Sequence, residues 1–291
     1  MGKDNVYLNG RIIPAEQAAV SVSDAGFLHG ASCFTTMLAH KGVVFRFDRH
    51  IERLMDTVRL ICLRTDATGE RLKEATYNLL AANELKEARV RITLTPGSAG
   101  TGRVGDVEGE SPPTTVITAG ALPDYPKSWY AKGISAVVSS FKQARGDPTI
   151  GHKTGCYLLR VLARQEAAAK GAEEALWYTT ENYLAESCFC NVFLVLKGKV
   201  CTPPRDTPVL PGVVRGAVIE LCRELNIECE AETQLTVREM LAAEEMFLTS
   251  ATTGIRPVVR AERHPVGDER PGKVTRIIME AYCELLDKEC S

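Results

Sequence analysis

The chain has 291 residues, 45% of them hydrophobic and 25% charged, with a formal net charge of −2. Its length suggests about two domains and burial of roughly three quarters of the surface that the unfolded chain exposes. No basic half or acidic tail is present, so nucleic acid is a poor partner: phosphate binding needs concentrated Lys and Arg.

No apolar run approaches the ~20 residues of a membrane helix, and Met1-Gly2-Lys3-Asp4-Asn5 carries no apolar signal segment. Ten cysteines without a secretory signal point to a reducing compartment, the cytoplasm, and to free, core-filling thiols. Cys188 and Cys190 lie two apart in a strand-like stretch and would share a face. No paired Cys-x-x-Cys accompanies them, so no metal is expected.

Val6-Tyr7-Leu8 and Arg11-Ile12-Ile13 read as a hairpin around the Asn9-Gly10 turn. Ser32 to Ala39 and Val43-Val44-Phe45 read as a second, around Lys41-Gly42. Ile51, Leu54, Met55, Val58, Ile61 and Cys62 recur at helical spacing, with Asp48 as the N-cap. A further helix is expected over Glu70 to Leu85, and strands over Arg89 to Thr95 and Thr114 to Ala119. Pro96 to Pro113, rich in Gly and acid, reads as a surface loop or a mobile cover over a site. Ala121 to Pro126 is linker-like. It divides a domain over residues 1–120 from one over 133–291, with 121–132 between them.

In the second part, strands are expected over Ile134 to Ser139, Ala175–Tyr178, Cys190–Leu196, Lys199–Cys201, Met246–Thr249 and Ile255–Val259. Helices are expected from Thr154 to Lys170, after Gly212 (burying Val218, Leu221, Cys222 and Leu225), and over a last segment whose stripe runs from Val274 to Leu285. No repeats and no Gly-x-Gly-x-x-Gly unit are present, so a dinucleotide fold has no support.

Lys153 stands where an irregular Gly-containing stretch, Thr149 to Gly155, meets the apolar helical pattern, and a helix start would fix it there. Downstream come Leu184-Ala185-Glu186 before the apolar run Asn191 to Val195, then Leu210-Pro211-Gly212-Val213-Val214-Arg215. An amine, a lone carboxylate and a Gly loop opening a helix are what a pyridoxal phosphate site needs. They serve as Schiff-base partner, counter-ion for the pyridine nitrogen and cradle for phosphate.

These segments, with His50-Ile51-Glu52-Arg53-Leu54 and Phe247 to Pro257, resemble the class IV aminotransferases, the fold type IV pyridoxal phosphate enzymes. That family includes branched-chain and D-amino-acid aminotransferases and aminodeoxychorismate lyase. The resemblance runs nearly end to end. It implies an α+β fold of two domains, a small α+β sandwich and a larger α/β domain around a β-barrel that carries the Schiff-base lysine, usually in a homodimer with the cofactor between domains.

Lys153 matches the Schiff-base lysine. A free lysine, with a pKa of about 10.4, is an ammonium that neither attacks an aldehyde nor takes a proton, so the role requires desolvation or nearby positive charge. Glu186 matches the carboxylate at the pyridine nitrogen, and Arg53 the arginine on the phosphate. Val213 and Val214 match the amides beneath that phosphate, and Tyr157 the tyrosine near the ring oxygen. Val214 and Ala251 stand where relatives often carry threonine, and Ser250 or Thr252 compensates. On the substrate side His29, Phe34 and Arg91 match pocket positions, and Ala251 and Thr252 lie where the family holds a substrate carboxylate.

Gly30 to Thr36 is closer to the lyases than to the branched-chain enzymes, and Arg103-Val104-Gly105 lacks the histidine of the D-amino-acid enzymes. The expected activity is amino transfer from a small amino acid to a 2-oxo acid. A lyase of the aminodeoxychorismate type and a non-catalytic homologue stay open.

Overall fold

The computed structural model describes residues 4–98 and 112–291, so the expected cover around Arg103-Val104-Gly105 lies outside the described residues. The chain forms two units. One is Met1–Pro123 with Lys153–Cys156 and Leu286–Ser291; the other is Asp124–His152 with Tyr157–Leu285. By their contacts, Lys153–Cys156 and Leu286–Ser291 group with the first unit.

In the first unit, β1 (Asn5–Leu8) and β2 (Arg11–Pro14) make the expected hairpin. Asn9 and Gly10 take φ of 46° and 89°, the left-handed pair that suits the twist of the strands. After α1 (Ala25–His29) come β3 (Cys33–His40) and β4 (Val43–Val44), turning at Lys41 and Gly42 as expected. The helix α2 (Phe47–Leu60) starts earlier than Asp48 predicts. Arg46, at φ 49°, takes the cap position without a side-chain bond, because the chain leaves β4 through a left-handed residue. Asp48 then sits in the first turn, where its charge favours the helix dipole.

The helix α3 (Gly69–Ala82) is capped by Thr68 and ends before Leu85, with Glu84 at φ 55°. β5 (Ala88–Thr95) and β6 (Thr114–Ala121) complete an antiparallel sheet of order β2-β1-β6-β5-β3-β4. One apolar cluster joins Met37, Val90, Ile92, Leu94 and Ile117 of this sheet to Ile51 and Leu54 of α2 and to Leu72 and Leu79 of α3. That is a helix layer on a sheet, the expected α+β sandwich.

The second unit contains α4 (Ser128–Ala131), β7 (Ile134–Gln143), α5 (Leu158–Ala169), β8 (Glu174–Thr179), β9 (Leu184–Ser187), β10 (Asn191–Leu196) and β11 (Lys199–Cys201). It continues with α6 (Val213–Glu224), β12 (Cys229–Glu230), α7 (Val237–Leu241), β13 (Glu245–Ser250), β14 (Gly254–Ala261), β15 (His264–Pro265) and α8 (Lys273–Glu289), of which the last turn belongs to the first unit. Along its sheet the order β10-β13-β14-β7-β8-β9 returns to β10 through the pair Asn191↔Glu186. The six strands therefore close into the expected barrel. A single buried cluster draws Ala136, Leu176, Leu184, Val192, Leu194, Leu248 and Val258 from all six strands, which places it inside the ring. On the opposite face of β10 and β13, Phe193 and Phe247 stack with centroids 4.8 Å apart.

Three further expectations change. Helix α5 begins at Leu158, not Thr154, because residues 153–155 pair with a strand. Leu225 is 38% exposed, since α6 ends before it and turns its stripe away. Cys188 and Cys190 lie in the bend between β9 and β10, so strand alternation does not apply to them, and all ten cysteines are free thiols.

Inside the barrel cluster, Arg256 Nη2 donates to Glu174 Oε1 at 2.8 Å, both side chains being 4% exposed. Arg256→Met strands that carboxylate without its cation and should cost about 3–5 kcal/mol, read from denaturant unfolding. The double change with Glu174→Leu should recover most of the loss.

Candidate functional site

Lys153 is held by a strand, not by a helix start. Its carbonyl accepts from Phe34 N–H at 2.9 Å, Thr154 bridges Cys33, and Gly155 N–H donates to the Ser32 carbonyl at 2.8 Å. β4 pairs only with Ala39 and His40, which leaves the start of β3 an open edge for residues 153–155. A Cβ on Gly155 would lie 2.1 Å from Ser32 Oγ and 3.0 Å from the Gly30 carbonyl, so only glycine allows this approach.

The half-buried Lys153 side chain puts Nζ 4.8 Å from the centre of the buried Phe34 ring. Arg91 Cζ lies 3.6 Å from the same ring, and Arg91 Nε donates to Thr93 Oγ1 at 3.1 Å. Three sequence-chosen residues thus meet on one face of β3. His29 sits apart from that cluster in kind: it is exposed at the end of α1.

Strand alternation sends Thr35 to the opposite face, under α2. There Arg53, 8% exposed, donates from Nη2 to Thr35 Oγ1 at 3.2 Å and lies 3.4 Å from His50 Nδ1. Thr35 Oγ1 is 3.1 Å from the same nitrogen. The chain of bonds is consistent if Thr35 accepts from Arg53 and donates to His50, which needs an unprotonated Nδ1. Burial, then the Arg53 charge, then the Lys153 charge push the His50 pKa well below 6.5 and keep the ring neutral. His50 therefore feels both predicted cations.

In the second unit, Glu186 is 3% exposed at the barrel-closing pair. Its Oε1 accepts from Arg160 Nη2 at 2.5 Å and from Gln143 Nε2 at 3.0 Å; its Oε2 accepts from Leu210 N–H at 3.1 Å. Asn191, its partner across the pair, donates from Nδ2 to the Leu210 carbonyl at 2.8 Å. A Cβ on Gly212 would fall 2.0 Å from Asn191 Oδ1, so the loop passes here only as glycine.

Gly212 caps α6 without a side chain, and the first N–H groups of the helix, at Val213 and Val214, have no intrahelical acceptor. Such an end attracts an anion. At the end of β13, Ser250 Oγ lies 2.7 Å from Thr253 Oγ1 and accepts from Thr253 N–H at 3.3 Å, while Tyr125 OH donates to Thr252 Oγ1 at 3.3 Å. Ala251, half-buried between them, brings no hydroxyl. Tyr157, half-buried before α5, stacks on Phe189 at 5.7 Å.

The sequence reading passed over Thr35, Gln143, Arg160 and Asn191. The signal for Arg160 was its place three residues after Tyr157, on the first turn of an amphipathic helix; the other three carry no local signal. The first unit offers an amine and a guanidinium; the second, taken by itself, offers a fixed carboxylate and an uncapped helix start. The Glu186 contacts occupy Oε1 with two donors and Oε2 with one, leaving acceptor capacity on Oε2 among the described contacts. That donor set fits pyridoxal phosphate, which presents an aldehyde, a basic ring nitrogen and a phosphate.

Comparison with known proteins gives the same direction. Residues 32–261 match the family described as amino-transferase class IV. The branched-chain-amino-acid aminotransferase of Escherichia coli K12 is 30% identical over 98% of this chain and 94% of its own length. A crystal structure of the branched-chain amino acid aminotransferase of Escherichia coli superposes with a TM-score of 0.91 at 29% identity, covering 99% of this chain and 96% of that one. The Thermoproteus uzoniensis branched-chain aminotransferase, solved with norvaline, gives 0.90 at 27% identity, with coverages of 99% and 96%.

Two outcomes check the geometry. Gly155→Ala should loosen the pairing with β3 and cut turnover far more than it lowers thermal stability. The His50 pKa is lower folded than unfolded, so below about 6.5 the unfolded chain binds a proton that the folded chain refuses. Thermal stability should therefore fall as pH drops from neutral into the acid range, and His50→Asn should flatten that slope.

Proposed function

The chain belongs to the class IV aminotransferases, and we propose that Lys153 is the lysine on which its pyridoxal phosphate chemistry runs. The enzyme moves an amino group from an amino acid to a 2-oxo acid. The relatives favour apolar, branched-chain donors. The observation that carries the assignment is the backbone pairing of residues 153–155 with β3, which holds one lysine amine beside Phe34 and within the field of His50.

When bound, pyridoxal phosphate supplies an aldehyde for the amino group and a ring that takes up electrons released at the substrate Cα. Lys153 Nζ would hold the aldehyde carbon, and as a free amine it would take a proton at the substrate Cα and give it back, acting as base and then as acid. Arg53, oriented by Thr35 and His50, would grip phosphate oxygens through its fork, and the Val213 and Val214 amides are donors of the kind that a phosphate needs.

Ser250 contributes the hydroxyl that Val214 and Ala251 lack. Glu186 Oε2 would hold the proton at the ring nitrogen, and Tyr157 would meet the ring oxygen. His29, Phe34 and Arg91 take pocket positions, and the Ala251–Thr252 backbone takes the substrate carboxylate. The ten free thiols support a cytoplasmic setting.

A homodimer is supported by the outer face of α5, where Leu158, Leu159, Val161 and Leu162 are 70%, 51%, 41% and 38% exposed. A run of large apolar side chains at this exposure is what a second copy would cover. Leu158→Glu with Leu162→Glu should shift the protein from dimer to monomer in sedimentation.

Lys153→Ala should abolish amino transfer while leaving the far-ultraviolet circular dichroism unchanged; near-parental turnover would refute the assignment. Mixing the holoenzyme with amino donor alone separates the two chemistries open to this family. A transaminase converts its cofactor stoichiometrically to pyridoxamine phosphate and stops, whereas a lyase regenerates pyridoxal phosphate and continues.

A further inference from the structure

Arg160, half-buried on the first turn of α5, has its guanidinium held on both nitrogens. Nη2 donates to Glu186 Oε1 at 2.5 Å, while Nη1 donates to the carbonyls of Ser187 at 3.1 Å and Cys188 at 3.0 Å. Its guanidinium carbon also lies 5.4 Å from the Trp177 ring centre and 6.0 Å from that of Tyr157. The fork is thus clamped by the bend after β9 and by two aromatic rings, and it cannot swing away without breaking several contacts. On the carboxylate side, Arg160 and Gln143 together fill Oε1, and the Leu210 amide takes one position on Oε2.

We propose that Arg160 is a positioning residue for the ring-nitrogen carboxylate: with Gln143 it occupies one oxygen of Glu186, so that the other oxygen stands in one orientation for the pyridine N–H. The inference rests on the reading of Glu186 as the ring-nitrogen partner. Glu186 is 3% exposed, and a charge taken so far out of water needs a paired cation. The groups that face it are Arg160 from α5, the neutral Gln143 from β7, and Asn191 and the Leu210 amide from β10 and its loop. Tyr157 and Cys188 adjoin Arg160. Burial pushes the Cys188 thiol up to about 11, so it is uncharged at neutral pH. Arg160 is therefore the one cation among these described neighbours, and its guanidinium is held charged by Glu186 despite burial.

The test uses the full chain, stripped of cofactor and titrated with pyridoxal phosphate and with its analogue carrying CH in place of the ring nitrogen. The ratio of the two dissociation constants reports recognition of that nitrogen alone, because phosphate and aldehyde are common to both. Arg160→Met, which keeps stem length and removes charge, should lose about tenfold of the preference for pyridoxal phosphate at neutral pH, the equivalent of one charged hydrogen bond. Arg160→Lys should keep the preference.

Binding of the analogue shows that each variant retains a folded site. Equal weakening of both ligands, or an undiminished preference in Arg160→Met, overturns the proposal, as does its loss in Arg160→Lys. If Arg160→Met does not fold, Arg160→Lys and Gln143→Leu, which removes the other donor to the same oxygen and should lower the preference while Arg160→Lys keeps it, still decide. Glu186→Gln serves as the reference. An unchanged ratio there would mean that the reading of Glu186 itself has failed, a result distinct from failure at Arg160 alone.

Discussion

A single register pair, Asn191 opposite Glu186, closes the barrel of the second unit and builds its chemistry. Without that pair β9 would be a free edge and Glu186 a carboxylate near the end of a short strand. With it, the two side chains reach the same loop from adjacent strands. Glu186 accepts from Leu210 N–H, and Asn191 donates to the Leu210 carbonyl. The loop is thereby fixed two residues before Gly212, and α6 starts where the sheet ends. The carboxylate and the helix N-terminus are then parts of one rigid frame, because the atoms that separate them are hydrogen-bonded at both ends.

The first unit solves a different problem, which is to keep three basic side chains close together. Arg53 and Lys153 both act on His50, and a third positive charge there would repel both. The solution is an imidazole that stays neutral and accepts, with Thr35 relaying one hydrogen bond from Arg53 to it. Those two contacts orient the guanidinium through a hydroxyl and a neutral ring, which keeps a third positive charge away from Arg53 and Lys153.

Much of this was legible in the sequence wherever the cause is local. Asn9-Gly10 and Lys41-Gly42 set their turns by the φ that they tolerate, and the period of Ile51, Leu54 and Val58 marked α2. Lys153, Glu186 and the Gly212 loop stood out by type and order. What failed was non-local. Nothing in residues 149–157 says that they borrow an edge of β3, because that depends on β4 being too short to cover it. The helix was therefore drawn too early. Asp48 has the chemistry of a cap but not the backbone, which a left-handed Arg46 decides. Asn191 looked like the polar start of an apolar strand, and its role appears only when the register pairs it with Glu186.

The same frame explains how relatives can differ at Val214 and Ala251 without loss of the anion site. A hydroxyl at either place would add one donor, but the amides at the start of α6 are donors whatever side chains follow Gly212, and the Ser250 and Thr253 hydroxyls remain at the end of β13. Backbone donors are set by where the helix begins, and that point is held by Asn191 and by a glycine whose Cβ the Asn191 amide would exclude. A substitution from threonine to valine or alanine removes one hydrogen bond, whereas a side chain at position 212 would displace the loop, the helix start and the Leu210 amide on Glu186 together.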